Sequence, residues 1–394
     1  MVNSHQTRRR MLQTIGAAGA SSLAVGSASA SEDSSNEYEI EELDAGFDHA
    51  WGIAFLPNDQ ILVTEREGRL NRIDWDTGTC EVIDGTPEVY DQGQGGLLDV
   101  TPHPDFSNEP WVYLTYAAIN EEGDSATHLG RGRLDRGSTR LEDFEELFVA
   151  EPFIYSEGHF GSRILFREGE LYMTTADREQ KDFGEDHVGQ DTTNELSSTL
   201  RLSPDGSVPS DNPFVDDADV ADAVYSYGHR NVQAMVIHHE TGEIWQADHG
   251  EEDGDGIYII EEGGNYGWPI THYGCKYGTE VPVGDLPHER DDVVDPVYYW
   301  ECPDPDGGFP PSGATFYDGE AFPNWQGDLF VGNIFGEYLG RFSVDDRNVE
   351  EVDPLLVDYG QRVRDVEVAP DTGYLYVLFD EENAPVVRVV PESD

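Results

Sequence analysis

The chain has 394 residues, long enough for two ordinary domains or one large all-β domain with a sizeable core. Its 81 acidic against 23 basic residues leave a formal charge of −58, which argues against binding DNA, RNA or an anionic membrane surface. With 37% hydrophobic and 11% aromatic residues, 42 glycines and 22 prolines, it reads as folded and turn-rich rather than disordered. Lys181 and Lys276 are the only lysines, so nearly all the positive charge is arginine. An acidic, lysine-poor surface suits molar salt, where the Debye length falls to roughly 3 Å and self-repulsion is screened. The alternative is an acidic secreted protein at ordinary salt.

Residues 1–30 read as a twin-arginine signal peptide. Thr7-Arg8-Arg9-Arg10-Met11-Leu12 precedes a mildly apolar stretch from Ile15 to Val25, and Ala28-Ser29-Ala30 offers a small-residue cleavage site. Residues 31–36 form a polar lead-in to a domain spanning 37–394. No later run approaches the twenty apolar residues of a membrane span, so the expectation is a soluble exported protein. Of the three cysteines, Cys275 and Cys302 lie in Gly/Pro-rich loops and are the expected disulfide pair. Nothing has zinc-type Cys/His spacing.

From there the chain alternates short β-rich runs with Gly, Pro, Asp and Asn turns, and no long amphipathic helix stands out. Six stretches resemble one another, beginning at Trp51, Gly96, Ser162, Gln233, Ser312 and Arg364. Each holds a strand, a hairpin turn, a second strand and usually a third. A lone four-stranded sheet cannot bury both its faces, but a ring of such sheets packs face on face. The pattern therefore predicts an all-β, six-bladed β-propeller, with residues 37–43 completing the last blade and long insertions after the second, third and fourth units. A β-sandwich or two separate β domains is the competing architecture.

Function in a propeller resides in its loops. Gly158-His159-Phe160-Gly161 presents a histidine between glycines, suited to a general base or to structural hydrogen bonding. Arg230, Asn231 and Gln233 put a cation and two amides at the entry of the fourth unit. Arg362 and Arg364, two apart, point to one face of a strand, where paired guanidinium groups suit a multi-carboxylate ligand or simply neighbouring acids. Gly93-Gln94-Gly95-Gly96 can carry a glutamine to the ring centre, or be an ordinary turn. The run from Asp248 to Asp255 suits a hard cation such as calcium, although it lacks EF-hand spacing and can equally be solvated surface.

Taken in order, these motifs resemble the soluble glucose/sorbosone dehydrogenase family, quinoproteins that oxidise aldose sugars with pyrroloquinoline quinone (PQQ). The likeness runs from about Leu43 to Val390 and is greatest to the aldose sugar dehydrogenase branch. It is carried by the segments from His49 to Pro57, Gly93 to Asp99, His103 to Phe106 and His159 to Arg163. Further matches run from Leu202 to Phe214, Gly228 to Gln233, Gly264 to Pro269, Pro311 to Gly313 and Arg362 to Asp365.

The resemblance implies that His159 is the base that takes the proton of the sugar C1 hydroxyl, and that hydride passes from C1 to PQQ to give a lactone. It implies that Arg230 steadies the developing charge, that Gln94, Asn231 and Gln233 contact the cofactor, and that Arg362 and Arg364 bind its carboxylates. Calcium would be held at the backbone carbonyls of Gly250 and Glu251, with a second, structural calcium at Asp255 and Tyr266. Three positions depart from the family pattern: Phe335 replaces a lysine, Gly158 an aspartate and Glu251 a proline. The expected partners are an aldose and an electron acceptor that the sequence does not identify. The rival functions are a non-catalytic propeller that binds a partner or polysaccharide, and a calcium-dependent lactonase.

Overall fold

The computed structural model describes residues 38–57, 59–305 and 307–392, with backbone alone at 24–26. The expected signal peptide and polar lead-in lie outside the described residues, apart from the short strand Ala24–Gly26. No helix among the described residues is long and apolar enough to cross a membrane.

Six antiparallel sheets form the ring. Blade one is Ala50–Phe55, Ile61–Glu65, Arg69–Asp74 and Thr79–Ile83. Blade two is Leu97–Pro102, Trp111–Ile119, Ser125–Arg133 and Glu142–Val149. Blade three is Ile164–Arg167, Glu170–Thr174, Ser198–Leu202 and Val224–Tyr227. Blade four is Val232–Ile237, Ile244–Asp248, Gly256–Ile260 and Tyr298–Tyr299. Blade five is Pro311–Phe316, Leu329–Asn333, Tyr338–Asp345 and Asn348–Leu355. Blade six takes Val363–Val368, Leu375–Phe379 and Ala384–Pro391 from the end of the chain. Its outer strand, Tyr38–Phe47, comes from the beginning and pairs Tyr38 with Pro391 to close the ring.

Alternation along each strand explains why blades stack instead of standing alone. In Trp111–Ile119, Val112 and Leu114 pack with Leu62 and Leu70 of blade one, while the intervening Tyr113 packs with Leu171 and Met173 of blade three. Each of the six blade junctions has its own buried cluster. The others centre on Tyr225 and Ile260, Trp245 and Phe316, Phe330 and Val377, and Val63 and Leu378. Local turn chemistry agrees: Glu168 and Gly169, at φ 54° and 90°, form the two-residue turn that joins Arg167 to Glu170 with the right-handed twist of a hairpin.

The expected insertion after the second unit is corrected. Residues 125–133 and 142–149 are the two outer strands of blade two. Residues 125–133 are mostly buried but built largely of Ser, Ala, Thr, His and Gly, and residues 142–149 form the water-facing edge with ion pairs such as Arg131–Glu145, so neither shows a clear apolar alternation. The excursions of 175–197, 203–223 and 261–297 do interrupt blades three and four. The disulfide joins Cys275 to Cys302, with Cα atoms 5.7 Å apart, and pins the last of these excursions.

Strand alternation also decides where function can sit. Each blade runs inner strand down, second up, third down, outer up, so links between blades and loops between second and third strands gather on one face. The excursion from 261 starts at the opposite end but climbs beside the outer strand of blade three, bridging Asn265 to Tyr227, and reaches the same face.

Trp245 is 1% exposed at the junction of blades four and five. Trp245→Ala is expected to destabilise the ring by about 3–5 kcal/mol, read as a lowered urea midpoint in molar salt.

Candidate active site

His159 lies in the link from blade two to blade three and is itself buried, in the left-handed region at φ 50°. Its backbone N–H donates to Gln94 Oε1 at 2.9 Å. Its Nδ1 is 2.6 Å from Asp177 Oδ1, and Trp268 Nε1 donates to Asp177 Oδ2 at 2.9 Å. With Nδ1–H given to Asp177, the lone pair of Nε2 is left as the acceptor. Burial, and then the nearby Arg230 charge, hold the imidazole below its usual pKa despite the carboxylate. Burial acts to raise Asp177, but His159 and Arg230 outweigh it and keep this acid ionised. The pair is a neutral imidazole aligned by a buried carboxylate.

Arg230 is also buried. Its backbone N–H and that of Asn231 donate to the two oxygens of Asp248 at 2.8 and 2.6 Å, so one carboxylate fixes the turn that presents both side chains. Arg230 Nη2 donates to Glu251 Oε2 at 2.7 Å, its guanidinium lies 5.3 Å from the centroid of the Trp268 indole, and its Nε has no partner. Lys181 Nζ reaches both Glu251 oxygens at 2.8 and 2.7 Å, so Glu251 joins the two cations. Glu251 also lines a cavity of about 920 Å³ together with His249, Asp255, Tyr277, Pro310 and Phe335.

Across the ring, Arg364 donates to Gln233 Oε1 at 2.8 Å and to Asp380 Oδ2 at 2.5 Å, and Arg362 approaches the same Asp380 oxygen at 3.6 Å. The two arginines therefore share a face, as their spacing predicted, with Asp380 also bound to His49. The three amides follow one rule. Gln94 accepts from His159 N–H, Asn231 accepts from Gly161 N–H at 3.2 Å and Gln233 accepts from Arg364. Each oxygen is committed to protein, and the NH₂ groups are left as donors. The Nε of Arg364 is likewise buried without a partner.

These amide and guanidinium donors fit a ligand rich in acceptor oxygens, as a tricarboxylate quinone is, while the neighbouring cavity is lined by carboxylates such as Glu251 and Asp255. The site fits a metal less well. Both oxygens of Asp255 accept backbone N–H groups, from Gly250 at 2.9 Å and Phe309 at 3.0 Å. The Tyr266 hydroxyl donates to the Ile259 carbonyl, four residues along the strand from Asp255 and roughly 13 Å away at about 3.3 Å per residue. Tyr266 also stacks on His229 at 4.5 Å. The Asp255 carboxylate and the Tyr266 hydroxyl, expected together at a second calcium, are thus apart and engaged within the fold, and the Glu251 carboxylate is taken by two cations. No group of three or more His, Cys, Asp or Glu side chains among the described residues is arranged to hold a metal.

The departures from the family pattern have local physical accounts. A side chain at Gly158 would put its Cβ 2.5 Å from the carboxyl carbon of Glu179, so a carboxylate already occupies that space. Phe335 is 65% exposed at the cavity rim and brings no charge, whereas Lys181 does so from another loop. Asp177, Trp268, Lys181 and Asp380 were not singled out as site residues from the sequence, and Asp248 only as part of a possible cation-binding run. Two signals existed: Lys181 is one of two lysines, and Trp268 belongs to a matching motif.

Comparison with known proteins follows the same lines. The family model described as glucose/sorbosone dehydrogenase matches residues 47–388. The aldose sugar dehydrogenase YliI of Escherichia coli (strain K12) is 34% identical over 361 residues, covering 90% of this chain and 93% of that protein. The crystal structure of the soluble aldose sugar dehydrogenase from Escherichia coli in its apo form superposes with a TM-score of 0.83 at 35% identity, covering 90% of this chain and all of that one. The PQQ-bound aldose sugar dehydrogenase from Streptomyces coelicolor superposes with a TM-score of 0.70 at 25% identity, over 88% of this chain and 95% of that one.

Arg230 and Glu251 are each about 3% exposed at the side chain. Glu251→Ala removes the buried partner of Arg230 and is expected to destabilise the protein by about 3–5 kcal/mol, measured by urea unfolding.

Proposed function

The chain belongs to the glucose/sorbosone dehydrogenase family, and from that membership we propose that it oxidises an aldose at C1 to the lactone with PQQ. The observation that supports this most is the His159–Asp177 pair, whose free Nε2 stands near Arg230 among amide and guanidinium donors. What PQQ supplies when bound is acceptance of the hydride from C1.

The chain's own residues do the rest. His159 Nε2 takes the proton of the C1 hydroxyl as the hydride leaves. Asp177 holds the ring in the required tautomer and stabilises the imidazolium that forms. Arg230 faces the negative charge that grows on the oxygen in transit, and because it is buried its field is little screened. The NH₂ groups of Gln94, Asn231 and Gln233, with Arg362 and Arg364, would hold the quinone's oxygens and carboxylates. Calcium at the carbonyls of Gly250 and Glu251 would need oxygens from the ligand, since side chains supply no cage. In the same reading the arginine-rich leader exports the protein, and the acidic, lysine-poor surface adapts it to high salt.

The test is dye reduction by the purified protein in molar salt with PQQ, calcium and a panel of aldoses. His159→Ala is expected to lower kcat by about 10²–10⁴ while circular dichroism is unchanged. Full activity in that variant would remove His159 as the base. Failure of PQQ to quench the intrinsic fluorescence or to support reduction of dye would sink the quinoprotein reading.

The base works as neutral imidazole, and burial and Arg230 depress its pKa below 6.5. The expected profile of kcat/KM is therefore level from about pH 6.5 to 8 and falls only at lower pH, as the ring takes its proton. An acid limb centred above pH 7 would contradict the buried neutral imidazole.

A further inference from the structure

We propose that Arg178 is a positioning residue that sets the His159 base, acting through the peptide bond that precedes it. This rests on the reading of His159 as the base.

Arg178 is 1% exposed, and every hydrogen bond it makes goes to a neutral oxygen. Its Nε donates to the Gly158 carbonyl at 3.0 Å, and Nη1 to the Ser125 carbonyl at 2.9 Å. Its Nη2 donates to Ser125 Oγ at 2.7 Å and to the Ser156 carbonyl at 2.9 Å. The guanidinium carbon lies 3.8 Å from the centroid of the Phe160 ring. So the group touches the residue before the base, the residue after it, and a third point two residues upstream of Gly158.

The peptide between Gly158 and His159 is gripped at both ends. Arg178 holds its carbonyl oxygen and Gln94 holds its N–H. Rotation of that plane would swing the His159 Cα, whose φ of 50° is a conformation L residues rarely adopt. With the plane fixed, Nδ1 meets Asp177 and Nε2 keeps its direction. Arg178 and Glu179 are themselves in the left-handed region, at φ 55° and 60°. Two such residues in succession persist only where surrounding bonds over-determine them, and here the guanidinium supplies those bonds.

Burying a guanidinium without a carboxylate in hydrogen-bond contact is unfavourable, and burial lowers its pKa to about 10. A loop that needed only closing could be tied by neutral donors. A planar fork with three nitrogens in fixed relation ties Ser125 to two points of the link that carries the base, Ser156 and Gly158, at once, which lysine cannot do. Because Arg178 directly follows Asp177, the segment that orients the imidazole ring also orients its backbone.

The test uses the PQQ-loaded full chain with Arg178→Lys and Arg178→Met, each alone and with His159→Ala. Acting through the base, either substitution should lower kcat at least tenfold, with KM for the aldose and the affinity for PQQ, read by fluorescence quenching, changed less than twofold. In the His159→Ala background the same substitutions should lower the residual rate no further, because the group they position is gone. Equal losses in both backgrounds, or a rise in KM with kcat unchanged, would overturn the proposal in favour of a general loop clamp. Should both variants misfold, Ser125→Ala removes one acceptor of the fork and is expected to lower kcat measurably in the His159 background alone. Unchanged kcat there would equally overturn it. If His159→Ala itself retains full activity, the base assignment fails, a result distinct from an Arg178 effect that is merely absent.

Discussion

The arrangement depends most on the two oxygens of Asp177. One binds the imidazole of His159 and the other the indole N–H of Trp268, so three parts of the chain converge on one carboxylate. His159 comes from the link between blades two and three, Asp177 from a loop of blade three and Trp268 from the excursion of blade four. The indole that fixes Asp177 also carries the Arg230 guanidinium on its face. Moving any one of these elements moves the other two.

Charge is managed with equal economy. Arg230, Lys181 and Glu251 together keep one net positive charge beside a neutral imidazole, so Glu251 orders Arg230 without cancelling the local field. Elsewhere the protein carries a large excess of acid; within the site Arg230, Arg364 and the amides present donors, while His159 Nε2 and the carboxylates of Glu251 and Asp255 are acceptors. The cluster of amide and guanidinium donors is matched to carboxylate and carbonyl oxygens.

Much of this was legible beforehand. The six strand groups, the closing strand from the beginning of the chain and the Cys275–Cys302 bridge all stand where the sequence places them. His159, Arg230, Gln94, Asn231, Gln233, Arg362 and Arg364 do gather on one face. The outermost strand of blade two was obscured because an edge strand in water needs no apolar alternation, and the buried strand before it because it is built mainly of small and polar residues. The side chains of Asp255 and Tyr266, expected together at a second calcium, stand apart for a different reason. Asp255 and Tyr266 are close in sequence, but a strand separates their polar atoms by several residues of rise, and both find partners within the fold.

The sequence by itself determined the ring, because strand periodicity and turn residues are local properties and six similar units can bury their faces only against one another. It also determined which residue types were available for redox work on a sugar. Only the tertiary structure decided that Asp177 and Trp268 align the base, that Lys181 shares Glu251 with Arg230, and that Arg178 grips the peptide before His159. These contacts join loops far apart in the chain whose own sequences carry no period. Their meeting is set by the closure of the ring and by burial, and neither can be read from neighbours along the chain.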